Sequence, residues 1–197
     1  MKTYNFLHSA ILIALFSTLS HANSDGIYIG VDSTIINFGK ESLKVTNKDK
    51  TTKTYKDVES SHCNIQIGYQ HSQNNRVELY FRDRKLDTKV GDISTKTFGI
   101  NYEWAFSSLS SGKVIPYALI GAGAGESSSS KLKHIDKADV IEINFGAGVH
   151  YQFNPNIDLK IGYNHTDTAF GDFDDKNTDK MSEIGQDSIV LGIAYKF

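Results

Sequence analysis

Residues 140–153 read VIEINFGAGVHYQF, and apolar or aromatic side chains occupy every second position of this stretch. They are Ile141, Ile143, Phe145, Ala147, Val149, Tyr151 and Phe153, and the positions between them hold Glu142, Asn144, Gly146, Gly148, His150 and Gln152. Successive side chains of a β-strand point to opposite faces, so this alternation gathers the apolar groups on one face. The stretch therefore predicts a long strand with one apolar face and one polar face.

The same period of two recurs along the chain. It appears in GIYIGVDSTII (26–36), SHCNIQIGYQH (61–71), RVELYFRDR (76–84), FGINYEWAF (98–106), PYALIGAGAG (116–125), IDLKIGYNH (157–165) and SIVLGIAYKF (188–197). With the first stretch these make eight strands, and the sequence predicts an all-β chain. In the fifth strand, glycines share a face with Tyr117 and Leu119, so the facing of this strand stays open.

The links between the strands alternate in length. The short links HSQNN (71–75), SSLSSGK (107–113) and NPN (154–156) follow strands two, four and six, and longer polar segments follow strands one, three, five and seven. Tight turns at one end and long connections at the other are typical of outer-membrane barrels. We therefore expect an eight-stranded antiparallel up-and-down transmembrane β-barrel with both termini on the periplasmic side.

Composition argues against several other classes of protein. The 197 residues carry a formal charge of −2, without the basic excess that nucleic-acid binding requires. Cys63 is the only cysteine, which excludes an internal disulfide and a cysteine-based zinc cluster. An acidic stretch at 172–179 suggests calcium, but Lys176 occupies the fifth position of the loop, where an oxygen ligand is needed. We expect no cofactor, no metal site and no nucleic-acid partner.

The N-terminal residues have the pattern of an export signal. Lys2 supplies a positive charge, AILIALFSTL (10–19) supplies a short apolar core, and small residues precede a cleavage point after Ala22. The apolar core is shorter than the roughly 20 residues of a membrane-spanning helix. We expect a signal peptide at 1–22 and a barrel domain at 23–197, located in the outer membrane of a Gram-negative envelope.

A soluble exported barrel of the lipocalin type also has alternating strands, but its apolar face points inward. Aromatic residues favour the membrane barrel, because they collect on the apolar face near the periplasmic ends of the strands, where an interfacial girdle is expected. The predicted girdle consists of Tyr69, Trp104, Phe106, Tyr151, Phe153, Tyr195 and Phe197. Phe81, Phe98 and Tyr163 fall towards the other ends of their strands and supply a second girdle.

The polar face carries charges of both signs. Those expected to share the interior of the barrel are Glu78, Arg82, Glu103, Glu142, Asp158, Lys160 and Lys196. Eight strands enclose an interior only wide enough to be filled by side chains. We therefore expect an ion-paired plug in the lumen in preference to a conducting channel.

From Gly26 to Phe197 the chain resembles the small OmpA-like, eight-stranded outer-membrane β-barrel proteins, which include opacity-type surface proteins. The resemblance rests on GIYIGVD (26–32), PYALIGAGAG (116–125), NFGAGVHYQFNPNIDLKIGYNH (144–165) and SIVLGIAYKF (188–197), and it concerns the barrel alone. It implies that the aromatic last strand, with Tyr195 and Phe197, is the signal read by the barrel assembly machinery. It also implies contact with outer-membrane lipids and lipopolysaccharide.

Three functions remain open at this stage. The first is a structural or surface-interaction role, in adhesion or envelope integrity, carried by external loops such as lysine-rich 38–60, which would bind a host or cell-surface ligand. The second is a narrow pore or a transporter of small apolar molecules. The third is a lipid A modifying enzyme, for which His165 lacks a serine at the required same-face position. We expect the first, and no catalytic residues.

Overall fold

The computed structural model describes residues 26–38, 41–46, 52–71, 75–88, 91–109, 112–129, 138–170, 180–181 and 184–197. Its strands are β1 (Gly26–Asn37), β2 (Glu41–Thr46), β3 (Thr52–His71), β4 (Asn75–Thr88), β5 (Gly91–Ala105), β6 (Val114–Ser129), β7 (Ala138–Asn154), β8 (Ile157–Phe170), β9 (Lys180–Met181) and β10 (Ile184–Lys196). The predicted signal peptide and the acidic stretch at 172–179 lie outside the described residues. No helix in the described part of the chain has the length and apolar character needed to cross a bilayer.

Eight of these strands form a closed antiparallel barrel. The ring runs β1, β3, β4, β5, β6, β7, β8 and β10, and it closes because β1 pairs with both β3 and β10. The short strands β2 and β9 continue the wall at one end, where β2 pairs with β3 and β9 pairs with β2. The predicted fold class is confirmed.

The two ends of the barrel differ. The end that holds Gly26 and Phe197, called the inner end here, also holds the three short links. In the link between β7 and β8, the backbone N–H groups of Asn156 and Ile157 donate to Oδ1 of Asn154, at 2.9 and 2.8 Å. Asparagine favours tight turns because its side chain can satisfy backbone donors in this way.

Through most of their length the strands turn apolar side chains outward. Along β3 and β4, outward residues such as Ile67 and Leu79 are exposed, whereas their inward neighbours Gln66 and Glu78 are buried. We call this outward belt the apolar band. It is the facing that the alternation predicts for a membrane barrel, and it is opposite to that of a lipocalin-like barrel.

The facing of the fifth predicted strand is settled by the structure. In β6 the inner face carries Ile115, Tyr117 and Leu119, followed by three glycines, and the outer face carries small or apolar residues. The glycines are needed because neighbouring groups come close. A Cβ at Gly123 would stand 2.3 Å from the Tyr80 hydroxyl, and one at Gly125 would stand 1.9 Å from the Lys96 carbonyl oxygen.

Beyond the apolar band the polarity of the strands inverts. On β4, outward Phe81 is followed by outward Asp83 and Lys85, while inward Arg82 and Arg84 are followed by Leu86, which is 1% exposed. We call this region the outer extension; it comprises 83–88, 91–97, 126–129, 138–140, 165–170 and 184–187, with β2, β9 and residues 52–61 of β3. Its buried inward apolar side chains, the apolar cap, are Leu86, Ile93, Ala138, Val140, Phe170 and Ile184.

Much of the polar sequence expected to form long links is strand in the structure. Only residues 89–90 separate β4 from β5, and β6 continues through the serine-rich stretch to Ser129. In β4 and β5 these segments bury Leu86 and Ile93 and expose polar side chains, whereas the buried residue of the β6 segment is Ser127. Polar composition alone therefore does not mark the ends of these strands.

Candidate functional site

The lumen of the barrel holds two ion-paired clusters, and the first lies towards the inner end. Arg76 of β4 donates to Asp158 of β8 at 2.6 Å. The fully buried carboxylate of Glu103 contacts Nε2 of His150 at 2.6 Å and Nζ of Lys160 at 3.4 Å. Because each carboxylate has a basic partner within contact distance, the burial cost of these charges is offset by pairing.

The second cluster lies nearer the outer end and is built around Glu142. Its two carboxylate oxygens meet Arg82 Nη1 at 3.1 Å and Arg84 Nη2 at 2.6 Å. Thr97 also donates to Glu142 at 2.9 Å, and Arg82 donates further to Asn144 Oδ1 at 2.8 Å. A carboxylate with this many donors is fixed in position by geometry as well as by charge.

Further polar side chains lie between the clusters or extend the second of them. Glu78 accepts a hydrogen bond from the Tyr28 hydroxyl at 2.7 Å and one from the Asn101 amide at 3.3 Å. Asn64 links Asp32, at 2.7 Å, to Arg82, at 2.8 Å. The ring of Tyr28 also lies against the Arg76 guanidinium, at 5.5 Å. We call the two clusters and these side chains together the lumen network.

The network crosses the full width of the lumen at two levels. Strands β4 and β8 stand opposite each other in the ring of eight. Arg76 spans this distance to Asp158, and Arg84 spans it to the Thr168 hydroxyl, each at 2.6 Å. These bridges occupy the path that an ion would follow through the barrel.

Six of the seven charges predicted for the lumen are placed together in this network: Glu78, Arg82, Glu103, Glu142, Asp158 and Lys160. Lys196 stands apart from them, half-buried at the inner end, where its backbone groups bond to Asn156. Lys196 lies in the same alternating position as the lumen-facing residues of β10. The strand ends there, so its side chain is not deep inside the barrel.

Sequence reasoning missed three charged members of the network, Asp32, Arg76 and Arg84, and the histidine His150 that pairs with Glu103. The signal that identifies them is parity, because Arg76 and Arg84 alternate in step with Glu78 and Arg82. The lumen also holds three tyrosines, Tyr28, Tyr80 and Tyr117, whose rings lie over glycines of neighbouring strands.

The predicted aromatic girdle lies at the inner end. Tyr69, Trp104, Phe106, Tyr151 and Phe153 are exposed on the outer surface, and Tyr195 and Phe197 are half-buried. The rings of Tyr195 and Phe197 meet edge to face at 5.2 Å, and the Phe197 N–H donates to the Ile27 carbonyl at 3.0 Å. The last residue is therefore tied to β1.

His165 lies on the outer surface, one outward position beyond Tyr163. Its Nδ1 contacts Asp187 of β10 at 2.7 Å, and its Nε2 contacts Asp167 of its own strand at 3.1 Å. The Tyr163 hydroxyl donates to the same Asp187 carboxylate. Thr166, the residue between His165 and Asp167, is buried on the lumen face. Among the described residues there is no group of three or more side chains arranged to hold a metal ion.

Comparisons with known proteins agree with this architecture. A family model described as "Outer membrane protein beta-barrel domain" matches residues 8–197. No curated protein matches the chain in sequence. Among solved structures, Neisserial surface protein A is 19% identical, with a TM-score of 0.59 over 89% of this chain and 100% of its own.

Two further solved barrels are similar. OprG from Pseudomonas aeruginosa is 14% identical, with a TM-score of 0.53 over 90% of this chain and 98% of its own. AlkL, solved in DMPC lipid bilayers, is 14% identical, with a TM-score of 0.55 over 92% of this chain and 95% of its own. At these identities the similarity concerns the fold.

Proposed function

The chain belongs to the outer membrane protein β-barrel family and is located in the outer membrane, and from this premise we propose that it is a closed, non-conducting surface protein. Its function is carried by the outer extension and the external hairpins, in a structural or interaction role at the cell surface. The observation that carries the proposal is the pair of bridges from Arg76 and Arg84 to the opposite strand of the ring.

A closed lumen argues against a pore. Glu103 and Glu142 are both 0% exposed, so the charges that would attract ions into a channel are already neutralised by protein groups. Beyond them, the apolar cap covers the outer end of the lumen with side chains that do not solvate ions. An ion entering from outside would have to displace both layers.

Planar-bilayer recording tests this part of the proposal. We expect no reproducible conductance steps from the wild-type barrel, and steps from a variant in which Arg76→Ala and Arg84→Ala remove both bridges. Lys85→Ala, an outward-facing exposed residue of the same strand, is the matched control and should stay silent. Reproducible single-channel steps from the wild-type protein would favour the pore instead.

The external hairpin formed by β2 and the start of β3 is the part best suited to bind a partner. Residues 38–60, which include it, carry six lysines against four acidic residues, in a chain whose net charge is −2. The local basic excess favours an anionic surface, such as lipopolysaccharide or an acidic ligand on another cell. Binding that rests on charge should weaken as salt is raised, because salt screens such attraction.

Charge-specific substitutions within the described strands test this role. Replacing Lys44, Lys53 and Lys56 with Gln should reduce adhesion to an anionic surface, and replacing the acidic Glu41, Asp57 and Glu59 with their amides should not. Both variants should reach the surface and shift in gel mobility on boiling, as we expect of the wild-type barrel. Equal adhesion of the two variants would contradict a charge-based role for this hairpin.

We further propose that the protein is not an enzyme. Both ring nitrogens of His165 contact carboxylates, and Thr166 faces the lumen, so this histidine is arranged as a structural partner and not as a base beside a nucleophile. The mass spectrum of lipid A should be unchanged when the protein is expressed. Loss of an acyl chain that depends on His165 would revive the enzymatic alternative.

Two processing steps belong to the same proposal. Residues 1–22 are removed as a signal peptide, so that sequencing of the outer-membrane protein should begin at Asn23. The aromatic edge around Tyr195 and Phe197 is read by the assembly machinery, so deletion of Phe197 should lower the amount of protein in the membrane more than the stability of the barrel that does assemble. Normal surface levels of the truncated protein would contradict this role.

A further inference from the structure

His165 lies where the outward apolar residues of β8 and β10 end. The outward residues of β8 are apolar from Ile157 to Tyr163, and those of β10 are apolar from Ile189 towards the inner end. His165 and Asp187 are the first polar residues beyond this limit on the two strands, and they stand directly opposite each other in the register. They therefore lie just beyond the apolar band on these two strands, beside the exposed Phe145 and Ile143 of β7.

The side chains of this cluster add a contact between β8 and β10 to the backbone pairing of the two strands. His165 Nδ1 reaches Asp187 across the strand pair at 2.7 Å, and Nε2 reaches Asp167 at 3.1 Å. Tyr163 adds a second hydrogen bond to Asp187 from the edge of the apolar band. A Cβ at Gly185 would stand 3.2 Å from Asp167 Oδ1 and 3.6 Å from His165 Cε1, so a larger residue there would crowd the cluster.

Both contacts of His165 need a donated proton. A neutral imidazole carries one N–H and can donate to only one of the two carboxylates, whereas an imidazolium donates to both. We propose that the His165–Asp187–Asp167 cluster is a proton-operated clip, which ties β8 to β10 at the outer membrane surface in its protonated form and releases one of its contacts on deprotonation. Its ligand is the external proton.

Among the residues that the structure describes, these two carboxylates are the charged groups that face His165. On β10 its neighbours are Asp187 and Gly185; on β8 they are Tyr163 and Asp167; on β7 the paired residue is Phe145, with Ile143 paired to Asp167. The hydrogen bond that His165 donates to Asp187 raises the pKa of His165 above its ordinary value, with a further contribution from the charge of Asp167. Hydrogen bonds from Tyr163 and His165 lower the pKa of Asp187.

These directions fix the pH window of the clip. A histidine pKa that is raised in the folded protein contributes stability that is complete below its unfolded pKa and is lost as pH rises through the folded pKa. A lowered carboxyl pKa contributes stability that is present above the ordinary carboxyl value and is lost as pH falls through the folded pKa. The clip is therefore fully formed at mildly acidic pH and weakens towards alkaline pH.

Nuclear magnetic resonance of the full barrel in lipid nanodiscs tests the clip. The imidazole of His165 should titrate with a raised pKa in the wild-type protein, and Asp187→Asn should lower that pKa more than Asp167→Asn does. Asp139→Asn, an exposed carboxylate beyond the apolar band on β7, is the matched control and should leave the titration unchanged.

Hydrogen exchange gives a second measurement that does not depend on the titration. After correction for intrinsic rates, exchange at residues 184–187 should rise about twofold to fivefold as pH passes through the His165 pKa, which is the range expected for exposed ion pairs. His165→Gln should abolish this pH dependence. Protection that is unchanged across the titration, or a His165 pKa that does not respond to Asp187→Asn, would overturn the proposal.

Discussion

The apolar band and the outer extension use the same strands with opposite facing. On β5, outward Phe98 and Ile100 lie in the band and outward Ser94 and Lys96 lie in the extension, while the inner face changes from Glu103 at one end to Ile93 at the other. A strand has two faces, and the environment outside the barrel decides which of them is apolar. The change of facing therefore marks where hydrocarbon ends and water begins.

The two regions also differ in what fills their interior. The band has an apolar environment outside and most of the ion-paired network inside, whereas the extension has charged groups outside and, beyond Arg84 and buried polar residues such as Gln186, the apolar cap inside. Hydrophobic burial in water stabilises the cap, as in a soluble protein. In the band, pairing and hydrogen bonding must offset the cost of enclosing charges. Substitutions in the two regions should thus destabilise the barrel for different physical reasons.

The largest effect is expected from removing a charge in the network of the band. Glu103→Ala leaves Lys160 and Arg76 without their shared carboxylate and should cost about 3–5 kcal/mol of unfolding free energy. Lys85→Ala, an exposed charge of the extension, should change it by less than about 0.5 kcal/mol. Urea unfolding in lipid vesicles measures both. Equal effects would mean that the lumen network does not hold the barrel together.

A smaller effect is expected from the cap, for which β4 provides a matched pair of leucines. Leu86→Ala removes a fully buried side chain and should cost about 2–5 kcal/mol, including the cavity that remains. Leu79 faces lipid, and acyl chains can fill the space that Leu79→Ala creates, so the cavity part of the cost is absent there. If hydrogen exchange in the extension responds alike to both variants, the cap is not a packed core.

The next comparison places an arginine at two outward-facing positions of β5, one in the apolar band and one in the outer extension. Ile100→Arg, in the middle of the apolar band, should destabilise the barrel by about 2–4 kcal/mol. Ser94→Arg has the same outward facing in the extension and should have an effect within about 0.5 kcal/mol. Reversible unfolding in vesicles measures the difference. Tolerance of Arg at both positions would argue that the band does not contact hydrocarbon.

The smallest effect is expected at the border between the two regions. Asp187→Asn removes one exposed partner of His165 and should lower the unfolding free energy by about 0.2–1 kcal/mol at mildly acidic pH. At alkaline pH, where His165 is neutral, the loss should shrink. A loss that grows as pH rises would contradict the assigned direction of the His165 pKa.

Much of the barrel follows from the period of two in the sequence. Strand number, antiparallel order and outward apolar facing all come from residues such as Ile65, Leu79 and Ile143, because lipid outside the band requires an unbroken apolar face. The lumen charges follow from the same parity, and Arg76 and Arg84 are predictable once Glu78 and Arg82 are assigned.

Other features were not predictable from the same pattern. The extension looks like a set of polar links, because its apolar residues, including Leu86 and Ile93, are few and face inward. The facing of β6 depends on which neighbours approach its glycines, and the Tyr80 ring that lies over Gly123 comes from a strand more than 30 residues away in the sequence. His165 and Asp187 meet because of register between β8 and β10, which short-range spacing does not specify.

The position of the border can be measured directly on β5. Single spin labels at residues 94, 96, 98, 100 and 102, in a Cys63→Ser background, would report collision with oxygen, which enters the bilayer, and with a water-soluble nickel complex, which does not. Oxygen should dominate at 98, 100 and 102, and nickel should dominate at 94 and 96. Nickel access at all five positions would contradict a membrane-spanning band that ends where the polarity of the strand inverts.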